Sequence, residues 1–255
     1  MADAPDVLQQ IIALSRSLGD PARQLAILGE GNTSARIDAE SFWVKASGTQ
    51  LATADDSSFV RVSLPRVLKA LDEPELDDAG VRRVLEESRC DPTATAMPSV
   101  ETFLHAYLLS LPDVAFVGHT HPVAVNAVLC SKRAAEAVSG RLFPDEIVCC
   151  GPAVCFVEYT DPGAVLARTV RERVERFIDE HNMAPKVILM QNHGLIAAGR
   201  TPKDVETITS MYDKTARVLI GAYTLGGPNF LTPENVARIH TRPDEAYRQK
   251  QIGAR

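Results

Sequence analysis

The sequence predicts a mixed α/β protein with a central, largely antiparallel sheet. Short apolar segments of strand length alternate with longer segments in which apolar residues recur at helical spacing. The alternation lacks the strict strand–helix–strand regularity of a parallel sheet, and the composition does not shift along the 255 residues. We therefore expect helices packed on one sheet, built as a single domain over residues 1–255.

Each predicted element rests on periodicity and on the residues that flank it. A buried strand begins at Val114 and ends with His119 and His121, and a helix capped by Ser99 precedes it. The other predicted helices are 6–18, 64–71, 77–88, 122–130, 132–138, 161 to about 181, about 202–225 and 233–240. The other predicted strands are 33–37, 42–46, 59–62, 147–157 with a break at 151–152, 186–190 and 195–198.

Composition excludes several classes of function. The net charge of −6 is mixed along the chain, and no basic block suggests nucleic acid as a partner. The first six residues are acidic and polar, unlike a signal peptide, and no apolar run approaches the ~20 residues that span a bilayer. Five cysteines form no Cys-x-x-Cys pair, which predicts reduced and mostly buried thiols. We expect a cytoplasmic protein that binds neither membrane nor nucleic acid.

Three histidines follow apolar strands in a pattern typical of a catalytic metal site. His119 and His121 are two residues apart on one strand, so their side chains point the same way. His193 follows the apolar run 187–190. Three neutral imidazoles leave one coordination position open, as in catalytic zinc sites. The remaining histidines lie on predicted helices, where a structural role is expected: His105, His181 and His240.

Glu101 is the second candidate for chemistry. It lies in the first turn of the helix that follows Ser99, where the helix dipole favours a carboxylate. Helix capping is therefore one interpretation, and a general acid or base beside the metal is the other. The residues themselves leave both open.

Two small polar turns and one helix start resemble anion-binding elements. They are residues 29–34, residues 47–49 and Ser99. Backbone N–H groups at such places hold phosphates, although this is not a Walker loop because no Gly-Lys-Ser/Thr is present. Taken alone, each turn is more typical of ordinary chain reversal than of anion binding.

The order of these motifs resembles the class II aldolase/adducin family. The motifs are Gly-Asn-Thr-Ser at 31–34, Lys-Ala-Ser-Gly at 45–48, Pro-Ser-Val-Glu at 98–101, His-Thr-His at 119–121 and Asn-His-Gly at 192–194. The resemblance covers about residues 6–225, which leaves 226–255 as a C-terminal extension. It implies a three-layer α/β/α sandwich and a homotetramer with active sites at subunit contacts.

The resemblance also implies a role for each motif. His119, His121 and His193 would bind one divalent cation per chain, zinc in the first place, with manganese, cobalt or iron as alternatives. Glu101 would be the catalytic carboxylate. The substrate's phosphate or its equivalent would be held by four residues: Asn32, Ser47, Gly48 and Ser99.

The implied activity is that of a metal-dependent lyase. Such an enzyme cleaves or forms a C–C bond through an enediolate in a small hydroxy-carbonyl, sugar-phosphate-like substrate. The family also includes decarboxylases, sugar-phosphate 4-epimerases and non-catalytic adducin heads, and these remain the alternatives. Glutamate at position 101 favours the aldolases, since the epimerases typically carry aspartate there.

Two departures from the family pattern bear on the substrate. Sugar-phosphate members usually have two serines before the acidic residue, and the second is Val100 here. One phosphate donor is lost, which leaves a carboxylate or a differently held phosphate open as the anion. Family aldolases also use a tyrosine as proton donor, and no motif chooses between Tyr223 and Tyr247.

Overall fold

A computed structural model describes residues 4–73 and 76–242. Within these ranges the strands are β1 (Asn32–Arg36), β2 (Ser41–Lys45), β3 (Phe59–Ser63), β4 (Phe116–Thr120), β5 (Cys155–Val157), β6 (Val187–Met190) and β7 (Gly194–Gly199). The helices are α1 (Ala4–Leu18), α2 (Leu64–Leu71), α3 (Asp78–Glu87), α4 (Thr102–Ser110), α5 (Val123–Leu129), α6 (Ala134–Ala137), α7 (Pro144–Cys150), α8 (Ala164–His181), α9 (Pro202–Thr224) and α10 (Pro233–Thr241).

The strands form one mixed, largely antiparallel sheet, as predicted. Their order is β3-β2-β1-β4-β7-β6-β5. Every neighbouring pair is antiparallel except β5 and β6 at one edge. The histidine-bearing β4 is therefore the central strand, and β1 and β7 flank it.

Helices cover both faces of the sheet and complete the α/β/α sandwich. One apolar core lies between the sheet and α2, α3, α4 and α8. The other core lies between the opposite face and α1, α5, α7 and α9. Helices cover the central strand on both faces, and all five residues of β4 are buried.

The predicted strand 147–157 is wrong over most of its length. Residues 147–150 belong to α7 instead, and only Cys155–Val157 is extended. Pro144 at the helix start fixes a helical φ angle, and Asp145 and Glu146 occupy the first turn, where the helix dipole favours acidic side chains. These local signals outweigh the β-branched character of Ile147 and Val148.

The start of α4 also differs from the prediction. The helix begins at Thr102, so Ser99 precedes it by one turn and is not its cap. Ser99 instead makes a tight turn: its carbonyl accepts from the backbone N–H of Thr102, and its hydroxyl accepts from the N–H of Glu101. Glu101 thus lies at the junction of turn and helix.

The thiols are mostly buried, as the sequence predicts. All five cysteines are free thiols; three are buried and two, Cys90 and Cys130, are exposed. Among the residues that the structure describes, no helix combines the length and the apolar character needed to cross a membrane.

Candidate metal centre and acid–base site

The end of β4 places two histidines in the middle of the molecule. His119 has no exposed surface and pairs with Asn32 of β1 on one side and Ile196 of β7 on the other. His121 lies just beyond the strand, and its backbone N–H donates to the carbonyl of Leu25 at 2.8 Å. Strand geometry on both sides thereby fixes the first ring, and a loop contact fixes the second.

The third histidine comes from the tight turn between β6 and β7. Met190 pairs with Gly194, and the backbone N–H of His193 donates to the carbonyl of Met190 at 3.1 Å. Asn192 adopts the left-handed conformation, with φ of 55°, which asparagine tolerates better than most residues. The turn therefore holds His193 directly beside the end of β4.

Gly194 is required because the turn lies against the other two histidines. A Cβ atom at Gly194 would be 2.6 Å from the carbonyl oxygen of Thr120 and 2.7 Å from the ring carbon Cδ2 of His121. Both distances are shorter than any ordinary contact. The glycine of the Asn-His-Gly motif is thus explained by packing against the candidate metal ligands.

The three rings converge in the way that a metal site needs. Their centroids are 4.7, 4.9 and 5.2 Å apart, and one nitrogen of each ring lies within 4.8 Å of the others. His119 Nδ1 donates to the carbonyl of Leu195 at 3.1 Å, which leaves the lone pair on Nε2. That Nε2 lies 2.9 Å from His121 Nε2. The donor set fits a divalent cation.

Burial keeps His119 and His121 neutral near pH 7. It lowers the pKa of His119 to about 4 and, together with the neighbouring rings, lowers the pKa of His121 to about 4. Glu101 opposes both shifts but does not overcome them. Neutral imidazole is the form that binds metal, so these candidate ligands would release no proton if a cation bound near pH 7.

The carboxylate of Glu101 completes the cluster. Its Oε1 lies 3.2 Å from His193 Nε2 and 3.6 Å from His119 Nε2, while Oε2 accepts a 2.5 Å hydrogen bond from the amide of Asn32. Oε1 is buried and has no hydrogen-bond partner among the described residues. The side chain makes no cap hydrogen bond to α4, so the helix-capping interpretation fails.

Glu101 is ionised in this environment. Burial alone would raise the pKa of its carboxyl, but His119, His193 and the Asn32 amide outweigh burial and hold the pKa well below its usual value. A buried carboxylate with one uncommitted oxygen can hold a cation's charge or accept a proton from a substrate carbon.

The predicted anion-binding residues lie on neighbouring segments. An isolated bridge pairs Ala46 with Pro98, so the turn that carries Ser47 and Gly48 lies beside Ser99. Asn32 Nδ2 reaches the hydroxyl of Ser99 at 3.2 Å as well as Glu101. Ser47 and Gly48 are exposed, and Gly48 has a φ of +80° with open space around it. The structure thus joins Asn32 and Ser99 directly to the candidate site and brings the 47–48 turn alongside.

Sequence reasoning missed two charged residues near the cluster. Lys45 is buried, and its ammonium donates to the carbonyl of Thr49 at 2.5 Å; burial lowers its pKa although Glu101 acts to raise it. Glu30 Oε1 lies 3.8 Å from Nδ1 of His121. Neither residue has a local signal in the sequence, because lysine and glutamate are ordinarily solvated.

The two tyrosine candidates remain unassigned. Tyr223 packs its ring under the guanidinium of Arg133, 4.8 Å from the ring centroid, and its hydroxyl is buried without a partner among the described residues. Tyr247 lies outside the described residues. A proton donor from the C-terminal extension is therefore still a prediction.

Two proteins of known sequence align with most of this chain. The uncharacterised oxidoreductase YuxG of Bacillus subtilis (strain 168) is 28% identical over 229 residues, which are 86% of this chain and 29% of that protein. Methylthioribulose-1-phosphate dehydratase of Microcystis aeruginosa is 26% identical over 203 residues, which are 76% of this chain and 85% of that protein. The chain thus spans less than a third of the first relative and most of the second.

Solved structures show the same fold. The N-terminal class II aldolase domain of a conserved protein from Thermoplasma acidophilum superposes with a TM-score of 0.67 at 25% identity, covering 86% of this chain and 96% of that one. An L-fuculose 1-phosphate aldolase superposes with a TM-score of 0.67 at 18% identity, covering 94% and 96%. The family model described as the class II aldolase and adducin N-terminal domain matches residues 9–220. This chain therefore belongs to the class II aldolase and adducin family.

Proposed function

We propose that this protein is a divalent-metal-dependent lyase of the aldol type. The observation that carries the proposal is the uncommitted Oε1 of Glu101, buried beside three converging histidine nitrogens. A buried carboxylate oxygen left without a hydrogen bond is costly unless a cation or a reacting proton accounts for it. His119, His121 and His193 are the proposed ligands, with zinc as the first candidate and manganese, cobalt or iron as alternatives.

In the proposed aldol reaction the histidines hold the cation, and Glu101 transfers the proton at the reacting carbon. When bound, the cation would act as a Lewis acid on the substrate's carbonyl and adjacent hydroxyl. In the synthetic direction Glu101 takes the proton from the carbon beside the carbonyl, and that carbon's electron pair forms the new C–C bond. The C=O π bond of the aldehyde breaks at the same time, and its oxygen takes a proton from water. In cleavage the substrate's hydroxyl loses its proton to water, and its oxygen forms the aldehyde C=O bond as the C–C bond breaks. The electron pair of the broken bond stays on the carbon beside the carbonyl, and Glu101 returns the proton there.

The polar residues beside the histidine cluster favour an anionic substrate. Ser99, Asn32, Ser47 and Gly48 are the proposed contacts for a phosphate or carboxylate, and the buried ammonium of Lys45 adds positive charge near them. Since Ser99 and Asn32 also touch the Glu101 network, an anion bound there would be placed close to the reacting carbon. A small hydroxy-carbonyl compound with one anionic end is the proposed substrate class.

The direct test is Glu101→Gln. General acid–base catalysis contributes typically about 10²–10⁴-fold, so we expect kcat to fall by that factor while the protein keeps one metal ion per chain. Glu158→Gln is the matched control, because Glu158 is a surface residue paired with Arg173, and it should keep full activity. Full activity in the Glu101→Gln protein would overturn the assigned role.

A dehydratase is a second candidate, favoured by the methylthioribulose-1-phosphate dehydratase relative. Decarboxylation or 4-epimerisation on the same scaffold are further alternatives, and the exposed Val100, in place of a phosphate-binding serine, favours a carboxylate-bearing substrate. Product analysis separates them: two carbonyl fragments for an aldolase, loss of water for a dehydratase, carbon dioxide for a decarboxylase and an inverted sugar phosphate for an epimerase.

A non-catalytic, adducin-like module is the alternative from another class. Such a module has no need for three converging imidazoles beside a buried carboxylate, and this arrangement argues against it. Failure to bind any divalent ion would revive that alternative.

We also propose that the protein is a homotetramer. Large apolar side chains are exposed on the loop before β1 and on α5 and α9: Ile27, Leu28, Val123 and Ile220. Leu28 is 77% exposed and lies two residues from Glu30, which faces His121. An apolar surface of this kind is typical of a contact between subunits. Light scattering should give four times the chain mass, and Leu28→Asp should lower it.

A further inference from the structure

We infer that His105 is a positioning residue that sets the orientation of Glu101 through Asn32. The inference rests on the proposed role of Glu101. His105 lies on α4, one helical turn after Glu101, and its side chain is completely buried. The sequence predicts only a structural core histidine at this position.

Both ring nitrogens of His105 are engaged by residues of β1. Nδ1 lies 2.6 Å from the hydroxyl of Ser34, and Nε2 is hydrogen-bonded to Oδ1 of Asn32. Asn32 and Ser34 are two apart on the strand, so both side chains point to the same face, toward α4. Two residues along a strand and four residues along a helix both span about 6 Å. The pair Asn32 and Ser34 on β1 can therefore contact the pair Glu101 and His105 on the facing helix.

The hydrogen bonds have one consistent direction. Glu101 is a carboxylate and can only accept, so the Asn32 group that faces it at 2.5 Å is the NH₂. Asn32 Oδ1 then faces His105 and needs a donor, which makes Nε2 the protonated nitrogen. Nδ1 is left as the acceptor for the hydroxyl of Ser34. Each donor in this line of four side chains meets an acceptor.

This chain of hydrogen bonds determines which oxygen of Glu101 has no partner. If the Asn32 amide turned over, its oxygen would face the carboxylate and its NH₂ would face the N–H of His105, so both contacts would be lost. His105 therefore holds the amide in the orientation that ties down Oε2. Oε1 is left to face His119 and His193 at 3.6 and 3.2 Å.

Groups of this kind behind a metal site typically change metal affinity by about 10–100-fold when removed. We therefore expect His105→Phe to weaken zinc binding by about tenfold or more, measured by titration of the metal-free protein with Zn²⁺ against a competing chelator. His105→Gln keeps an N–H donor that can reach Asn32, and it should recover most of the lost affinity. Leu108→Ala is the control: Leu108 is buried on the same helix, so the variant should lose stability but not zinc affinity.

A double-mutant cycle separates positioning from a general structural role. If His105 acts through Glu101, His105→Phe should change zinc affinity little in a protein that already carries Glu101→Gln. Equal losses in both backgrounds, or no loss in the first, would overturn the inference. If His105→Phe does not fold, Ser34→Ala and His105→Gln replace it, each with and without Glu101→Gln. Ser34→Ala removes the hydroxyl that donates to His105 Nδ1, so it should weaken zinc binding more than His105→Gln does, and only when Glu101 is present. The readout is independent of turnover: no zinc binding by the unsubstituted protein would overturn the proposed function instead.

Discussion

Asn32 lies directly opposite His119 in the antiparallel pair of β1 and β4, and its amide donates a 2.5 Å hydrogen bond to Glu101. The register of two neighbouring strands thus links a candidate metal ligand to the candidate acid–base residue. Gly31 makes this register possible, because a Cβ atom there would lie 2.5 Å from the carbonyl oxygen of His119. In the Gly-Asn pair of the first motif, Gly31 is therefore needed for close packing, and Asn32 supplies the hydrogen bond to Glu101.

Val100→Ser should improve the use of a sugar phosphate. Val100 is 48% exposed and follows Ser99, so a hydroxyl there adds a donor at the proposed anion site. One hydrogen bond to a charged group is worth about 1.5–3 kcal/mol, so we expect KM to fall by tenfold or more with little change in kcat. Steady-state kinetics measures both.

The control for this change is Val165→Ser, at a valine of similar exposure on α8. It should leave KM unchanged. A KM for sugar phosphates that does not respond to Val100→Ser would show that the anion does not bind beside Ser99.

Gly194→Ala should damage stability and metal binding together. The added Cβ would meet the Thr120 carbonyl and the His121 ring. Overpacking of this kind costs about 1–3 kcal/mol, and we expect relief of the clash to shift His121, a candidate metal ligand. Urea unfolding and metal content measure the two effects.

Gly221→Ala is the matched control, since Gly221 lies within α9 and a Cβ atom there meets open space. It should raise stability by about 0.5–1 kcal/mol, because alanine is the better helix former. Equal behaviour of the two alanine variants would contradict the packing argument.

The free energy of unfolding should fall as the pH falls from about 6.5 to about 4. Burial lowers the pKa of His105 from 6.5 to about 4, with Glu101 opposing. Between these values the unfolded chain binds a proton that the folded chain refuses, so stability is full above the window and is lost below it. The contribution of one such group is about 1.4 kcal/mol per pH unit.

Urea unfolding of the metal-free protein at several pH values measures this slope. His105→Gln removes the titrating group, so its stability should depend less steeply on pH by about that amount. Identical slopes for the two proteins would mean that His105 is already protonated when folded.

The histidine cluster was predictable because its signals are local. Alternation along β4 places His119 and His121 together, and the apolar run before His193 marks a second strand end. The rest of the site depends on partners far apart in the chain. His105 lies among apolar residues of α4, and its contact with Asn32, 73 residues away, has no local signature. Lys45 was missed for the same reason.

The boundaries of secondary structure show a similar limit. Residues 147–150 are apolar and suit either a strand or a buried helix, so periodicity alone does not decide between them. Pro144 followed by two acidic residues was the deciding signal for α7. The tail beyond residue 242, which includes Tyr247, lies outside the described residues, and its proposed part in the site stays a prediction.

Metal content tests the central claim most directly. Mass spectrometry of the purified, untagged protein should find about one zinc, manganese, cobalt or iron ion per chain, and His121→Ala should lose it. His181→Ala is the matched control, and this variant should keep the ion. His181 is exposed at the end of α8, where its ring packs against Phe177. If the unsubstituted protein takes up no divalent ion even after incubation with each, the three histidines do not form a metal site, and the lyase proposal falls.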